Sequence, residues 1–225
     1  MDQAPGIYVI ATGSSSFELA GSYLLKDILA FDRVRSSKKL SDLVTLLAFQ
    51  IGSEVSFNEL ATKLALNVRT VQHYLDLLEK SFVVFRLGGL SRNLRKEVTR
   101  SSKYYFYDNG IRNAVIAQFN RLDRRNDIGQ LWENFMVAER LKQLAYTSDH
   151  ANFYFWRTYD QQEIDWVEER GEELRGLEFK WTRPNKLAAP KAWQSTYPGS
   201  AYAVITPEDY QDLLLEALPQ AQPAP

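Results

Sequence analysis

The period of the apolar positions changes along the chain, and the changes mark its elements. Residues 7–11, Ile-Tyr-Val-Ile-Ala, form a short continuous apolar run followed by the polar stretch Thr12-Gly13-Ser14-Ser15-Ser16, which predicts a buried strand and its exit turn. From Ser22 to Phe31 the pattern turns helical through Tyr23, Leu24, Ile28 and Leu29, and Arg33 to Lys39 reads as a basic connector. Leu40, Leu43, Leu47 and Ile51 then predict a helix stopped at Gly52. Ser56-Phe57-Asn58-Glu59 is a capping-box pattern opening a second helix. Asn67 is a good cap for a third, whose stripe is Val68, Val71, Leu75 and Leu78.

A short helix, a tight turn and a second helix that leaves Arg69, Thr70, Gln72 and His73 on its other faces read as a helix-turn-helix. Two β-rich runs follow, Phe82 to Leu87 and Lys103 to Asp108, and from Arg86 to Lys103 the charge is almost wholly positive: Arg86, Arg92, Arg95, Lys96, Arg100 and Lys103 against Glu97. Two strands and a basic loop behind a helix-turn-helix predict a winged helix whose wing meets phosphates. Arg69, Thr70, His73, Arg92, Arg95, Lys96 and Arg100 are its candidate contacts to double-stranded DNA. The same unit also serves as a protein-docking module or a scaffold. His73 has no acidic neighbour in sequence that would suit a metal or catalytic role.

The last hundred residues begin with a strong helix over 130–145, apolar on nearly every side, with Glu133 near its start. Strands are predicted at Asn152 to Arg157, Glu163 to Glu168 and Leu174 to Trp181, then a helix from Lys191 to Thr196, a strand from Ala201 to Ile205, and a closing helix from Pro207 to Leu218 with Glu208 and Asp209 in its first turn. Alternation sets Leu177, Phe179 and Trp181 on one face, with Gly176, Glu178 and Lys180 on the other. It also pairs Ile164 with Trp166, opposite Glu163, Asp165 and Val167. The polar turn around Gly171 makes the second and third strands neighbours, so Asp165 can join Glu178 and Lys180.

Read in order, Glu133, Asp165 and Glu178-Phe179-Lys180 form an E…D…ExK series on an α-β-β-β-α-β-α order. As chemistry, the three carboxylates would ligate Mg²⁺ through oxygen and Lys180 would orient or deprotonate the attacking water. A buried carboxylate at Glu133 needs a partner. A salt-bridge network or a degenerate site accounts for the same residues without metal.

Composition narrows the classes. The 225 residues are 45% hydrophobic and 24% charged, enough for two small domains. There is no cysteine, which excludes disulfides and thiolate sites. A net charge of −1 confines any nucleic-acid contact to local patches. No apolar run is of membrane-spanning length and no signal-type segment opens the chain, so a cytoplasmic protein is expected.

Several runs together resemble the C-terminal half of a prokaryotic family of AAA-type ATPases, a half catalogued as a domain of unknown function. They are Leu60 to Glu79, Ser91 to Val98, Lys103 to Asn113, Trp132-Glu133-Asn134-Phe135, Tyr154 to Arg157, Glu163-Ile164-Asp165 and Glu178-Phe179-Lys180. The resemblance implies an α/β (α+β) architecture: a winged helix over residues 22–112 and a PD-(D/E)XK nuclease-like domain over 113–225. Residues 1–21 are similar to the family's sensor-1 strand, which would make Thr12 or Ser14 a remnant of its nucleotide sensor. No GxxxxGK[ST] motif is present, so productive ATP binding is not expected. The jump at Ala20-Gly21-Ser22 reads as an internal deletion in a truncated relative, and the stranded segment 7–11 as a candidate for self-association. A protein partner and double-stranded DNA are the expected partners, and no membrane.

Overall fold

The computed structural model describes residues 36–90, 102–147 and 150–215. Among them are helices and two sheets in a mixed α+β arrangement, as expected. The segment 7–11, the stretch 22–31 expected to be helical, Thr12, Ser14, and the expected wing residues Arg92, Arg95, Lys96 and Arg100 lie outside the described residues. None of the described helices is long and apolar enough to cross a membrane.

Helix α1 (Ser37–Phe49) starts inside the stretch expected to be a connector, because the Ser36 hydroxyl accepts the Lys39 amide and supplies an N-cap. Its stripe buries Leu40, Leu43, Val44 and Leu47, and the chain turns away at Gly52, whose φ of +74 suits glycine. A two-residue strand β1 (Glu54–Val55) leads to α2 (Phe57–Leu64), where the Ser56 hydroxyl accepts the Glu59 amide. The Glu59 carboxylate pairs with Lys63, one turn on. Helix α3 (Val68–Lys80) is capped by Asn67, which accepts the Thr70 amide at 2.7 Å and the Thr70 hydroxyl at 2.9 Å. Val71, Leu75 and Leu78 pack inward, leaving Arg69, Gln72 and His73 exposed.

Strand β2 (Val84–Gly88) begins two residues later than the apolar pattern suggests. Phe82 closes α3 instead, with φ +54 and its amide donating to Glu79, while Val83 donates back to Leu78. Strand β3 (Ser102–Phe106) lies antiparallel between β1 and β2. Asp108, expected at the strand end, caps α4 (Asn109–Val115) by accepting the Gly110 and Ile111 amides. A single 3₁₀ turn, Leu122–Arg124, precedes α5 (Ile128–Tyr146).

The second sheet has the order β4-β5-β6-β7, built from β4 (Asn152–Arg157), β5 (Glu163–Arg170), β6 (Glu173–Phe179) and β7 (Ala201–Ile205). The first two pairings are antiparallel and the last is parallel, reached through α6 (Lys191–Thr196). Helix α7 (Tyr210–Leu215) starts after Glu208 and Asp209. Thr206 ends the strand and donates its hydroxyl to Asp209, so the two acids occupy the preceding turn rather than the helix. Trp181 lies beyond the end of β6, edge-on to Trp132.

The regular alternation expected for β5 is broken. Tyr154 pairs with Val167 and Trp156 with Ile164, so Phe155 alone faces both Asp165 and Trp166. This bulge separates Ile164, which packs with Trp156 and Trp193, from Trp166, which packs with Leu177 and Phe179.

The two sheets share a core. Phe85, Leu87 and Tyr105 of the first half pack with Trp132, Met136, Phe155 and Leu177 of the second. The Leu90 amide donates to the Phe155 carbonyl at 2.7 Å. Asn134 of α5, fully buried, accepts the Phe106 amide at 2.7 Å and donates to the Phe106 carbonyl at 2.9 Å. One side-chain amide thereby does for β3 what a neighbouring strand would do.

Candidate acid and lysine site

The β5–β6 ladder ends at Trp166 and Leu177, and beyond it the Asp165 carboxylate takes up the Phe179 amide at 2.8 Å. The bulge therefore gives Asp165 a defined position: its side chain replaces a missing ladder bond and stays at the strand junction. Glu178 lies opposite Val204 on β7, and the Lys180 amide donates to the Ile205 carbonyl. Lys180 Nζ is 2.5 Å from Glu178 Oε1 and 3.9 Å from Asp165 Oδ2. These three groups are brought together as the E…D…ExK pattern predicts. Glu178 Oε2 is buried and has no hydrogen-bond partner. The Lys180 side chain is 45% exposed and opens the site to solvent.

Glu133 is held from another direction. Its Oε1 accepts from the Tyr105 hydroxyl at 2.7 Å and from Lys103 Nζ at 3.3 Å. The carboxylate also packs against Gly52, where a Cβ would lie 3.0 to 3.2 Å from its atoms. Lys103 pairs with Glu163 too and lies 5.5 Å from the centre of the Phe155 ring. Its side chain is 2% exposed, so it does not belong to the basic surface in which the charge run placed it. Arg86, the other described member of that run, is exposed and donates to the Ser102 hydroxyl.

Lys103, Tyr105 and Glu163 are neighbours of the candidate site that the sequence pattern did not single out. The strand of Lys103 and Tyr105 and the helix of Glu133 were both visible, but the packing of one on the other was not.

Charge is out of balance here. Glu133, Glu163, Asp165 and Glu178 face two ammonium groups, Lys103 and Lys180, while Arg157 reaches Glu163 only at 3.9 Å and bonds Glu54 at 2.6 Å. Burial, reinforced by the charge of Asp165, pushes both Glu133 and Glu178 up to about 7. Burial also raises Asp165, against the pull of Lys103 and Lys180. Burial alone would lower Lys103, but Tyr105, Glu133, Asp165 and Glu163 outweigh it and hold its pKa well above the ordinary value.

Among the described residues no three acidic or histidine side chains gather closely enough to hold a metal ion. Two carboxylates, Asp165 and Glu178, do face one ammonium, that of Lys180. Mg²⁺ commonly binds through one or two carboxylates and keeps several waters. The unpartnered Glu178 oxygen and the surplus negative charge fit such an ion.

Away from this cluster, Arg69 and His73 are exposed along α3, whereas Thr70 is committed to the Asn67 cap. His73 lies 6.1 Å from the Tyr74 ring.

Residues 128–221 match the family model of a domain of unknown function, DUF4143, and residues 18–122 match that of a second, DUF8612. The chain is 34% identical over 140 residues to an uncharacterized protein of Mycobacterium tuberculosis, covering 61% of this chain and 31% of that protein. The same identity and coverage hold for an uncharacterized protein of Mycobacterium bovis. An uncharacterized protein of Haemophilus influenzae is 23% identical over 168 residues, covering 72% of this chain and 39% of that protein. The chain thus spans between 31% and 39% of the length of these relatives. No solved structure matches.

Proposed function

We propose that this chain is a nucleic-acid-handling unit associated with AAA-type ATPases, in which a winged-helix half grips duplex DNA and a PD-(D/E)XK-type site acts on phosphodiester bonds with Mg²⁺. The observation that carries the reading is the meeting of Asp165, Glu178 and Lys180 at one strand junction, with one Glu178 oxygen buried and unpartnered. Asp165 and Glu178 would hold the ion. When bound it would supply Lewis-acid polarisation and a more acidic water. Lys180, half-exposed at the mouth, would bond a phosphate oxygen or orient the water.

The helix-turn-helix supplies orientation. Arg69 and His73 on the exposed face of α3 are its described candidate contacts, and Arg92, Arg95, Lys96 and Arg100 are candidates from sequence alone. In the longer relatives an ATPase segment would accompany this unit. The chain as given has no phosphate-cradling motif, and ATP turnover by it alone is not part of the reading.

A second reading has its own support. Lys103 and Tyr105 already satisfy Glu133, which leaves the three-carboxylate set of an active nuclease incomplete. On that reading the fold is a degenerate, protein-docking adaptor. Incubation of supercoiled plasmid with Mn²⁺ separates the two: nicking that disappears in Lys180→Ala supports the enzyme. Plasmid left untouched by a folded preparation that also shows no salt-dependent binding of duplex DNA supports the adaptor.

A further inference from the structure

Lys103 enters the acid cluster from outside the sheet that carries it. It rises from β3, and its ammonium meets a carboxylate of α5 and one of β5, Glu133 and Glu163. Asp165 adds a further favourable charge. Such a position, between carboxylates from different elements and closed off from water, is what a bound cation occupies. We propose that the Lys103 ammonium stands in for a second divalent ion, so that Asp165 and Glu178 take a single metal while Glu133 is withheld from it. The inference rests on the metal-site reading above and specifies how many ions that site holds.

Three contacts keep Glu133 with the lysine. Tyr105 and Lys103 both bond its Oε1, and Gly52 stands behind the carboxylate, where even a Cβ would lie 3.0 Å from it. A metal ion bound at Asp165 therefore meets a Glu133 that is already engaged. Charge points the same way. A lysine in the pair of Glu133 and Glu163 neutralises one charge and leaves a surplus that one divalent ion can balance. Without the lysine the surplus grows by one, Glu133 loses its cation and Glu163 keeps only Arg157 at 3.9 Å. Lys103 is thus a positioning residue: it acts on the metal through Glu133 rather than by touching it.

The test is Mn²⁺ binding to the full chain, read by electron paramagnetic resonance of the free ion and by calorimetry. The native chain should bind one ion, and Glu133→Gln should change that affinity by less than about threefold, since Glu133 is not a ligand. Lys103→Met should gain a second ion, and Lys103→Met/Glu133→Gln should lose it again. A purely structural lysine would not change the stoichiometry. Loss of the native ion in Glu133→Gln, by tenfold or more, overturns the proposal, as does a folded Lys103→Met chain that binds no additional ion. If Lys103→Met does not fold, Glu133→Gln decides alone. If the native chain binds no Mn²⁺ but Lys103→Met binds one through Glu133, the metal-site reading fails while the role of Lys103 stands. If neither chain binds, both fail.

Discussion

Raising the pH should destabilise this protein over a range in which most proteins change little. Glu133 and Glu178 titrate at about 7 in the folded chain, against an ordinary 4.5. A carboxyl whose folded pKa is raised binds more protons folded than unfolded. Its contribution is therefore fully present below 4.5 and is lost as the pH rises through 7. At about 1.36 kcal/mol per pH unit, the gap from 4.5 to about 7 is about 3 kcal/mol for each group. The opposite contributions, from Asp127, Asp209 and the buried Glu168, do not interfere. Despite its burial, the Arg140, Arg170 and Trp166 bonds hold Glu168 down at about 2, so its stabilisation is lost only in acid. Urea unfolding in EDTA at about pH 5, 6, 7 and 8 should show stability falling by several kcal/mol. Glu178→Gln should remove about 3 kcal/mol of that fall. Millimolar Mn²⁺ should restore stability at about pH 8, where the carboxylates are ionised, and have little effect near pH 5. A native chain equally stable from about pH 5 to pH 8, or a Glu178→Gln slope identical to the native one, refutes the reasoning.

Asn134→Ala leaves the Phe106 amide and carbonyl buried without partners and should cost about 2 to 4 kcal/mol, measured by urea unfolding. Gly52→Ala combines a positive φ with a Cβ 3.0 Å from Glu133. It should cost about 1 to 2 kcal/mol and shift the pH dependence of stability, which a turn remote from the site would not do. Glu168→Gln deprives Arg140, itself 3% exposed, of its paired charge. It should destabilise by about 3 to 5 kcal/mol at neutral pH and by little in strong acid.

Much of the fold was legible because local pattern and tertiary burial agree. The ends of β4, α6 and β7 follow directly from where apolar runs meet Gly, Pro and polar turns. The meeting of Asp165 with Glu178 and Lys180 was legible too, since a short turn around Gly171 makes their strands neighbours. What failed depended on exceptions to a simple period. Phe82 looks like the first residue of a strand, yet it closes a helix in the left-handed region, a geometry its residue type gives no hint of. Alternation cannot register the extra residue at Asp165-Trp166, so it set Ile164 and Trp166 on one face. Lys103 sits in a run of positive charge and reads as a solvated surface residue. Only the docking of β3 against α5, held by Asn134, turns it into the site.

Calorimetric titration of the native chain and Asp165→Ala with Mg²⁺, followed by incubation of each with supercoiled plasmid, tests the central claim. The native chain should bind the ion and the variant should not, with plasmid nicking disappearing alongside the binding. Binding and nicking that survive in Asp165→Ala, or a native chain that binds no Mg²⁺, would contradict that claim.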